Sequence, residues 1–151
     1  MRDDTGAGVM DIKRAIEEAN GNLGQARELL NERGARMSAA KSDRETKEGL
    51  VEAYVHPGRP LGALLELNCE TDFVARTDEF KSLARDLVMH IAAMEPERIN
   101  DDEDDPAVEG ESLLSQAWFR DSSLTVEQVI QSSIGKLGEN VKVGRFSRFE
   151  I

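Results

Sequence analysis

The chain has 151 residues, a formal net charge of −11 at pH 7 and 39% hydrophobic residues, which allows one fair core or two small ones. The acidic balance argues against direct nucleic-acid binding as the main activity, because that affinity comes largely from Lys and Arg side chains that neutralise phosphates. The sequence contains no run of about 18 apolar residues and no secretory signal pattern, so we expect a cytoplasmic protein, without a membrane span, whose partner is another protein.

Two short amphipathic helices are predicted near the start of the chain. The first covers residues 9–19. The second covers residues 23–33, with Asn22 as its N-cap and Gly34 as the residue that stops it. We interpret residues 1–34 as a small helical domain. Because isolated helices of this length are only marginally stable in water, they need a further helix or a partner surface.

A polar linker and a β-hairpin follow. Residues 35–48 are rich in Lys, Arg, Ser and Ala and are interpreted as a helical or loose linker. Apolar residues alternate over residues 50–55, turn residues interrupt them at 56–60, and residues 61–69 run back, which predicts two antiparallel strands. His56 falls in the turn, and with no second His or Cys at metal-ligand spacing we interpret it as structural.

The connection between this hairpin and the next helix contains the sequence Thr71-Asp72-Phe73-Val74. A solvated connection normally avoids a large ring beside aliphatic residues. The simpler interpretation is that Phe73 and Val74 pack under the following helix, as residues of their type usually do. The alternative is that an Asp-Phe tip, held between two rigid elements, presses into another protein. The pattern of residue types leaves both interpretations open.

The most regular helical pattern begins near Thr77 and closes near Met94. Its apolar residues recur every three or four positions and predict one buried face. They are Phe80, Leu83, Ala84, Leu87, Val88, Ile91 and Ala92. His90 lies beside this face and is interpreted as making one structural hydrogen bond. Cys69, the single cysteine, is interpreted as a small buried hydrophobe rather than a nucleophile.

An acidic segment and further elements complete the sequence. Residues 100–111 are interpreted as an acidic, solvated linker, because they lack the ligand spacing of a calcium-binding loop. Apolar residues at helical spacing predict a helix over residues 111–119. Another helix is predicted from the N-cap Thr125 to a stop at Gly138, and residues 141–149 are predicted to form the last strand.

Together these elements predict an α+β fold, in which residues 49–151 form a core of a few antiparallel strands with helices packed on one face. About three strands leave unpaired edges and an apolar face. We therefore hypothesise a two-fold homodimer through the sheet that buries Phe146 or Phe149. The sequence offers no nucleophile with a base and an orienting group and no metal-ligand cluster, so we predict neither an enzyme nor a bound metal ion or cofactor.

Several segments, in the same order, resemble bacterial translation elongation factor Ts in its short, single-core form. They are TGAGVMD (5–11), ANGNL (19–23), LNCETDFVAR (67–76), DSSLTVE (121–127), KLGENV (136–141) and RFSRFE (145–150). The chain departs from this family at two points. Gly144 stands where many members have Arg. Only residues 1–4 precede the turn at residues 5–8, where members usually carry another helix, so we expect that first helix to be missing.

The resemblance implies a guanine-nucleotide exchange factor for elongation factor Tu, which acts in translation elongation on the GDP-bound and nucleotide-free states of Tu. In this family the Thr-Asp-Phe-Val tetrapeptide is associated with displacing the magnesium ion from the Tu nucleotide site. That role corresponds here to Thr71, Asp72, Phe73 and Val74. Some short members of the family work as homodimers.

The resemblance also implies the roles of the two domains. Residues 1–34 correspond to a ubiquitin-associated-like (UBA-like) domain, and residues 49–151 correspond to the core and dimerisation domain. The competing hypothesis is a non-exchanging interaction module that tethers a partner through its UBA-like helices. The intact tetrapeptide favours exchange, whereas the missing first helix favours tethering.

Overall fold

The chain combines helices with short antiparallel strands, which confirms the predicted α+β class. The computed structural model describes residues 1–100 and 111–151, so most of the predicted acidic linker lies outside the described residues. The elements in chain order are α1 (Arg2–Thr5), α2 (Val9–Glu18), α3 (Leu23–Lys41), β1 (Glu48–Val55), β2 (Leu61–Cys69), α4 (Asp72–Ala75), α5 (Asp78–Met94), β3 (Ala117–Trp118), β4 (Asp121–Thr125), α6 (Val126–Leu137) and β5 (Val141–Glu150). None of the described helices is long and apolar enough to cross a membrane.

The N-terminal helices have a small core of their own and lie against α6. The buried residues of this core are Ala15, Ala19, Ala26 and Leu30. The single turn α1 precedes Gly6, where the sequence comparison led us to expect no helix. Gly6 has a φ of 67°, and a Cβ at this position would lie 2.6 Å from the carbonyl oxygen of Ser132 in α6. A side chain does not fit this contact, so glycine is required.

The helix α3 continues through Gly34 to Lys41, so the predicted stop at Gly34 is wrong. Glycine in a helix interior costs about 1 kcal/mol relative to alanine. That cost does not end a helix when good helix formers follow, and residues 35–41 are mainly alanine, arginine, methionine and lysine. The helix also packs on α6. The first half of the predicted linker is therefore helical.

A three-stranded antiparallel sheet, in the order β1-β2-β5, forms one layer of the main core. It confirms the predicted hairpin and the predicted last strand. Side chains alternate between the two faces of a strand, so Leu65 and Leu67 share one face with their cross-strand partners Phe146 and Leu50. The helix α5 contacts β1 and β2. All seven predicted apolar residues of α5 are buried in this core.

The opposite face of the sheet, which we call the open face, exposes apolar side chains. Val51, Val55, Leu64 and Phe149 are between 48% and 77% exposed. Val55 and Phe149 both pair with Gly62 of the central strand, so the two side chains flank a position without a side chain. Phe146 instead packs against the main core. Of the two residues predicted for a dimer contact, only Phe149 lies on the open face.

The predicted helix over residues 111–119 is wrong. This stretch forms one 3-10 turn, Leu113–Ser115, and then β3, which pairs with β4, a strand that the sequence did not predict. The reason is packing against α5. The Phe119 N–H donates to His90 Nδ1 at 3.2 Å, and the rings of Trp118 and His90 stack with centroids 5.2 Å apart. These contacts favour an extended backbone over the helix that spacing suggested.

The helix α6 begins and ends as predicted. Thr125 Oγ1 accepts the Gln128 N–H at 3.2 Å, and Gln128 Oε1 accepts the Thr125 N–H at 2.9 Å, which completes a capping box. Gly138 has a φ of 75° and ends the helix in the left-handed conformation. The chain then enters β5 through Glu139 and Asn140, two residues that contact the candidate site.

Candidate partner-binding site

The four predicted site residues lie in and just before α4, a single helical turn between β2 and α5. Thr71 is its N-cap, because Thr71 Oγ1 accepts the Val74 N–H at 3.3 Å. Thr77 caps the next helix: its hydroxyl donates to the Val74 carbonyl at 2.7 Å and accepts the Phe80 N–H at 3.2 Å. Two successive caps therefore hold the turn between rigid elements.

Phe73 and Val74 are exposed to opposite degrees. Val74 is 6% exposed and belongs to the main core, whereas Phe73 is 78% exposed. The interpretation that both residues pack under the following helix is therefore right for Val74 and wrong for Phe73. Burying a phenylalanine side chain is worth about 1.5–3 kcal/mol. A partner that buried this exposed ring would gain free energy of that size.

Asp72 presents its carboxylate next to Phe73 in the chain. It pairs with Arg76 at 3.0 Å, and the two side chains are 62% and 79% exposed. An exposed ion pair between residues four apart contributes little to stability and is readily broken. The Asp72 carboxylate is therefore accessible to a partner that contacts the Phe73 ring.

Glu139, which the sequence reasoning did not assign, contacts the start of the turn. Its Oε1 accepts the Thr71 N–H at 3.0 Å, and its Oε2 accepts the Thr71 hydroxyl at 2.7 Å. Glu70 makes the reverse contact, since its Oε1 accepts the Asn140 N–H at 2.8 Å. Glu139 and Thr71 are 68 residues apart. No local pattern could link them, and only the KLGENV segment drew attention to Glu139.

Cys69 is buried immediately before this turn, as predicted. Its thiol donates to the Thr71 carbonyl at 3.1 Å. Burial, with the Glu139 carboxylate as a further cause, raises the pKa of the Cys69 thiol to about 11. Because the thiolate is the reactive form, Cys69 serves packing and not nucleophilic chemistry.

The two histidines have structural contacts away from the turn. His56 Nδ1 lies 2.9 Å from the Tyr54 hydroxyl. His90 is fully buried and makes two hydrogen bonds instead of the predicted one. Because His90 Nδ1 accepts the Phe119 N–H, Nε2 carries the proton and donates to Gln116 Oε1 at 2.9 Å. Burial lowers the pKa of His90 below its ordinary value, so the ring is neutral.

An open cleft of about 1270 Å³ lies elsewhere, between α1, the start of α5 and α6. Residues of both charge signs line it, including Arg2, Asp78 and Lys136, and the four predicted site residues do not. Within residues 1–100 and 111–151, no group of three His, Cys, Asp or Glu side chains is arranged to hold a metal ion.

Comparison with known proteins identifies a family for the whole chain. The family model described as "Elongation factor TS" matches residues 11–111 and 70–151. Elongation factor Ts of Carboxydothermus hydrogenoformans is 42% identical over 185 positions, which cover all of this chain and 85% of that protein. The namesake of Fervidobacterium nodosum is 42% identical and covered over 94% of its length, and that of Rubrobacter xylanophilus is 41% identical and covered over 95%.

The alignments are longer than this chain of 151 residues, so the relatives contain positions that have no counterpart here. The similarity nevertheless extends over the whole chain, and the family model matches both the segment with α4 and the segment with Glu139. The resemblance noted from the short segments is thereby confirmed. The chain belongs to the elongation factor Ts family.

Proposed function

We propose that the chain is a cytoplasmic guanine-nucleotide exchange factor that promotes release of GDP from elongation factor Tu. The observation that carries this proposal is the exposed Phe73 ring on a turn that Val74 anchors in the core. An exposed apolar ring is unfavourably hydrated in the free chain, and a partner that buries the ring gains binding free energy. Membership of the elongation factor Ts family supports Tu as that partner.

In the proposed mechanism, α4 enters the nucleotide site of Tu from its magnesium side. Phe73 acts as a wedge that packs into Tu. Asp72 brings a carboxylate close to the magnesium and phosphate groups, where it disturbs the coordination that holds GDP. Thr71 and Val74 support the tip, through the N-cap and through the core contact respectively. Magnesium requires near-octahedral coordination, so a small displacement of its ligands strongly weakens magnesium binding.

The proposed activity is the release of GDP from Tu, and it involves no covalent chemistry. The factor binds GDP-bound Tu and stabilises its nucleotide-free state. By linkage, the exchange factor weakens the binding of GDP to Tu by the same factor by which GDP weakens the binding of the exchange factor to Tu. Phe73 and Asp72 therefore contribute to the rate only if their contacts are stronger in the nucleotide-free complex than in the GDP-bound complex.

The direct test is the release of labelled GDP from Tu with and without this chain. We expect the chain to accelerate release, and the acceleration to saturate as its concentration rises. A chain that binds Tu without accelerating release would contradict the exchange proposal. That result would favour tethering, for which Val9, Met10 and Leu23 on the N-terminal helices offer side chains that are 60–63% exposed.

A second test separates action on the magnesium of Tu from magnesium binding by this chain. The Asp72 carboxylate pairs with Arg76 at 3.0 Å and belongs to no group of three possible metal ligands among the described residues. A lone carboxylate is a poor magnesium site. Calorimetric titration of the isolated chain with magnesium should therefore give no stoichiometric binding. Stoichiometric binding that Asp72→Asn removes would instead make Asp72 a metal ligand of this protein.

We further propose that the chain forms a two-fold homodimer, with a second copy covering the open face of the sheet. Val51, Val55, Leu64 and Phe149 supply an apolar surface on that face. A two-fold contact buries the same patch on both copies. Phe146 has no part in this contact, because it packs against the main core of its own chain.

A further inference from the structure

The loop before α4 and the loop before β5 hold each other through two crossed carboxylates. We call this pair of contacts the carboxylate clamp, and its members are Glu70, Thr71, Glu139 and Asn140. Glu139 accepts two hydrogen bonds from Thr71, at 3.0 Å and 2.7 Å, while Glu70 accepts the Asn140 N–H at 2.8 Å. Hydrogen bonds to an ionised acceptor are roughly twice as strong as neutral ones. The two loops are therefore held in one relative position.

The Glu139 contact also sets the orientation of the Thr71 side chain. The Thr71 hydroxyl donates to Glu139 Oε2, so its lone pair is left to accept the Val74 N–H at 3.3 Å. One continuous chain of hydrogen bonds thus runs from the first turn of α4 to Glu139. The hydroxyl cannot rotate without losing one of these bonds. Glu139 therefore fixes the orientation of the hydroxyl that caps α4.

The clamp is tied to the segment that follows α3. Asn140 is almost fully buried, and its side-chain amide donates to the Arg44 carbonyl at 2.9 Å. Arg44 in turn lies 3.5 Å from Glu70 Oε1. The clamp therefore has fixed supports on both sides: the strand β2 and helix α6 of the main core, and the end of the N-terminal helices.

We propose that Glu139 is a positioning residue for the exchange tip, acting through Thr71 and not by touching the partner. This inference rests on the proposed exchange function. The clamp holds α4 in the position from which Phe73 and Asp72 act. Because the contacts of Phe73 and Asp72 act in the nucleotide-free complex, the clamp affects the rate of GDP release more than the first binding to GDP-bound Tu. Loss of the clamp misplaces the tip, and a misplacement of about 1 Å at a reacting site can cost a large factor in rate.

The test measures GDP release from Tu over a range of concentrations of the full chain. Glu139→Ala should lower the maximal release rate about tenfold, while the concentration for half-maximal rate changes less than about threefold. Glu139→Gln should recover part of the rate, because its amide can accept the Thr71 N–H and donate to the Thr71 hydroxyl. Glu127→Ala is the matched control, an exposed glutamate on α6, and should match the unaltered chain.

A second readout concerns the isolated chain and needs no partner. Thr71 is exposed, and within residues 1–100 and 111–151 the bond to Glu139 is what protects its amide from hydrogen exchange. We expect slow exchange at Thr71 in the unaltered chain and fast exchange in Glu139→Ala. Fast exchange at Thr71 in the unaltered chain would overturn the inference even if the variants fail to fold.

The outcomes separate this inference from the exchange function itself. If the unaltered chain and Glu139→Ala accelerate GDP release from Tu to the same maximal rate, Glu139 is not a positioning residue. The exchange function then stands without this inference. If the half-saturating concentration rises while the maximal rate stays constant, Glu139 is a binding contact and the inference is wrong. If the unaltered chain does not release GDP, both proposals fail.

Discussion

Two phenylalanines lie on either side of the cap Thr77, and their rings differ in solvent exposure. Phe80 is fully buried in α5, whereas Phe73 on α4 is 78% exposed. Both residues belong to helical segments with well-formed caps, so local structure does not explain the difference. The comparison teaches that the buried ring holds the core together, while the exposed ring adds little to folding and is available to a partner.

The largest expected effect is the loss of stability when the buried ring is removed. Phe80→Ala should lower the free energy of unfolding by about 3–5 kcal/mol, because it removes a large apolar side chain and leaves a cavity. Phe73→Ala should change it by less than about 0.5 kcal/mol, as is usual for exposed positions. Urea unfolding of both variants measures the difference. Equal losses of stability would mean that the Phe73 ring also supports the fold.

The next largest effect concerns a second exposed ring, that of Phe149, and the proposed homodimer contact. Phe149 is 75% exposed on the open face, and we expect Phe149→Asp to weaken the homodimer at least about tenfold, since it places a charge in an apolar contact. Light scattering at micromolar concentration should report about twice the chain mass of 16.7 kDa for the unaltered protein and a lower mass for the variant. Val9→Asp, at an exposed position on α2, is the matched control and should leave the mass unchanged.

The smallest expected effect concerns the buried aromatic cluster of His90, Trp118 and Phe119. The pKa of His90 lies below the ordinary value of 6.5 because the ring is buried. The unfolded chain therefore binds a proton that the folded chain excludes as pH falls below about 6.5. The stability that neutral His90 contributes is complete above that pH and is lost as pH falls towards the lowered pKa.

Urea unfolding at pH values between 7.5 and 5.5 tests this effect. The unaltered chain should lose stability on acidification, and His90→Gln should lose less. His56→Gln, which leaves the buried cluster intact, should keep the full loss. A loss of equal size in His90→Gln would assign the pH dependence to other groups.

Much of the fold could be predicted because the local signals were strong. The periodic apolar residues of α5, the capping box of α6 and the alternation around the hairpin all describe contacts within about four residues or across one turn. The wrong predictions at Gly34 and over residues 111–119 arose where tertiary contacts decided the outcome. Packing on α6 favours continuation of α3 past Gly34, and packing of Trp118 on His90 favours a strand over Ala117–Trp118.

The site divides in the same way. The sequence placed Thr71, Asp72, Phe73 and Val74 on one connection, but it could not say which side chain faces the core. Neighbouring residues of one helical turn differ by about 100° in direction, so Val74 enters the core while Phe73 does not. Glu139 was missed because its contact with Thr71 joins segments that are distant in the chain.

The most direct test of the account is the rate of labelled GDP release from Tu with Phe73→Ala. The matched control is Met94→Ala, another exposed apolar residue, at the far end of α5 and about 24 Å from its start. We expect Phe73→Ala to lose at least about 30-fold in rate, as for an aromatic hot spot worth about 2 kcal/mol, while Met94→Ala keeps full activity. A folded Phe73→Ala chain that releases GDP as fast as the unaltered chain would contradict the central claim.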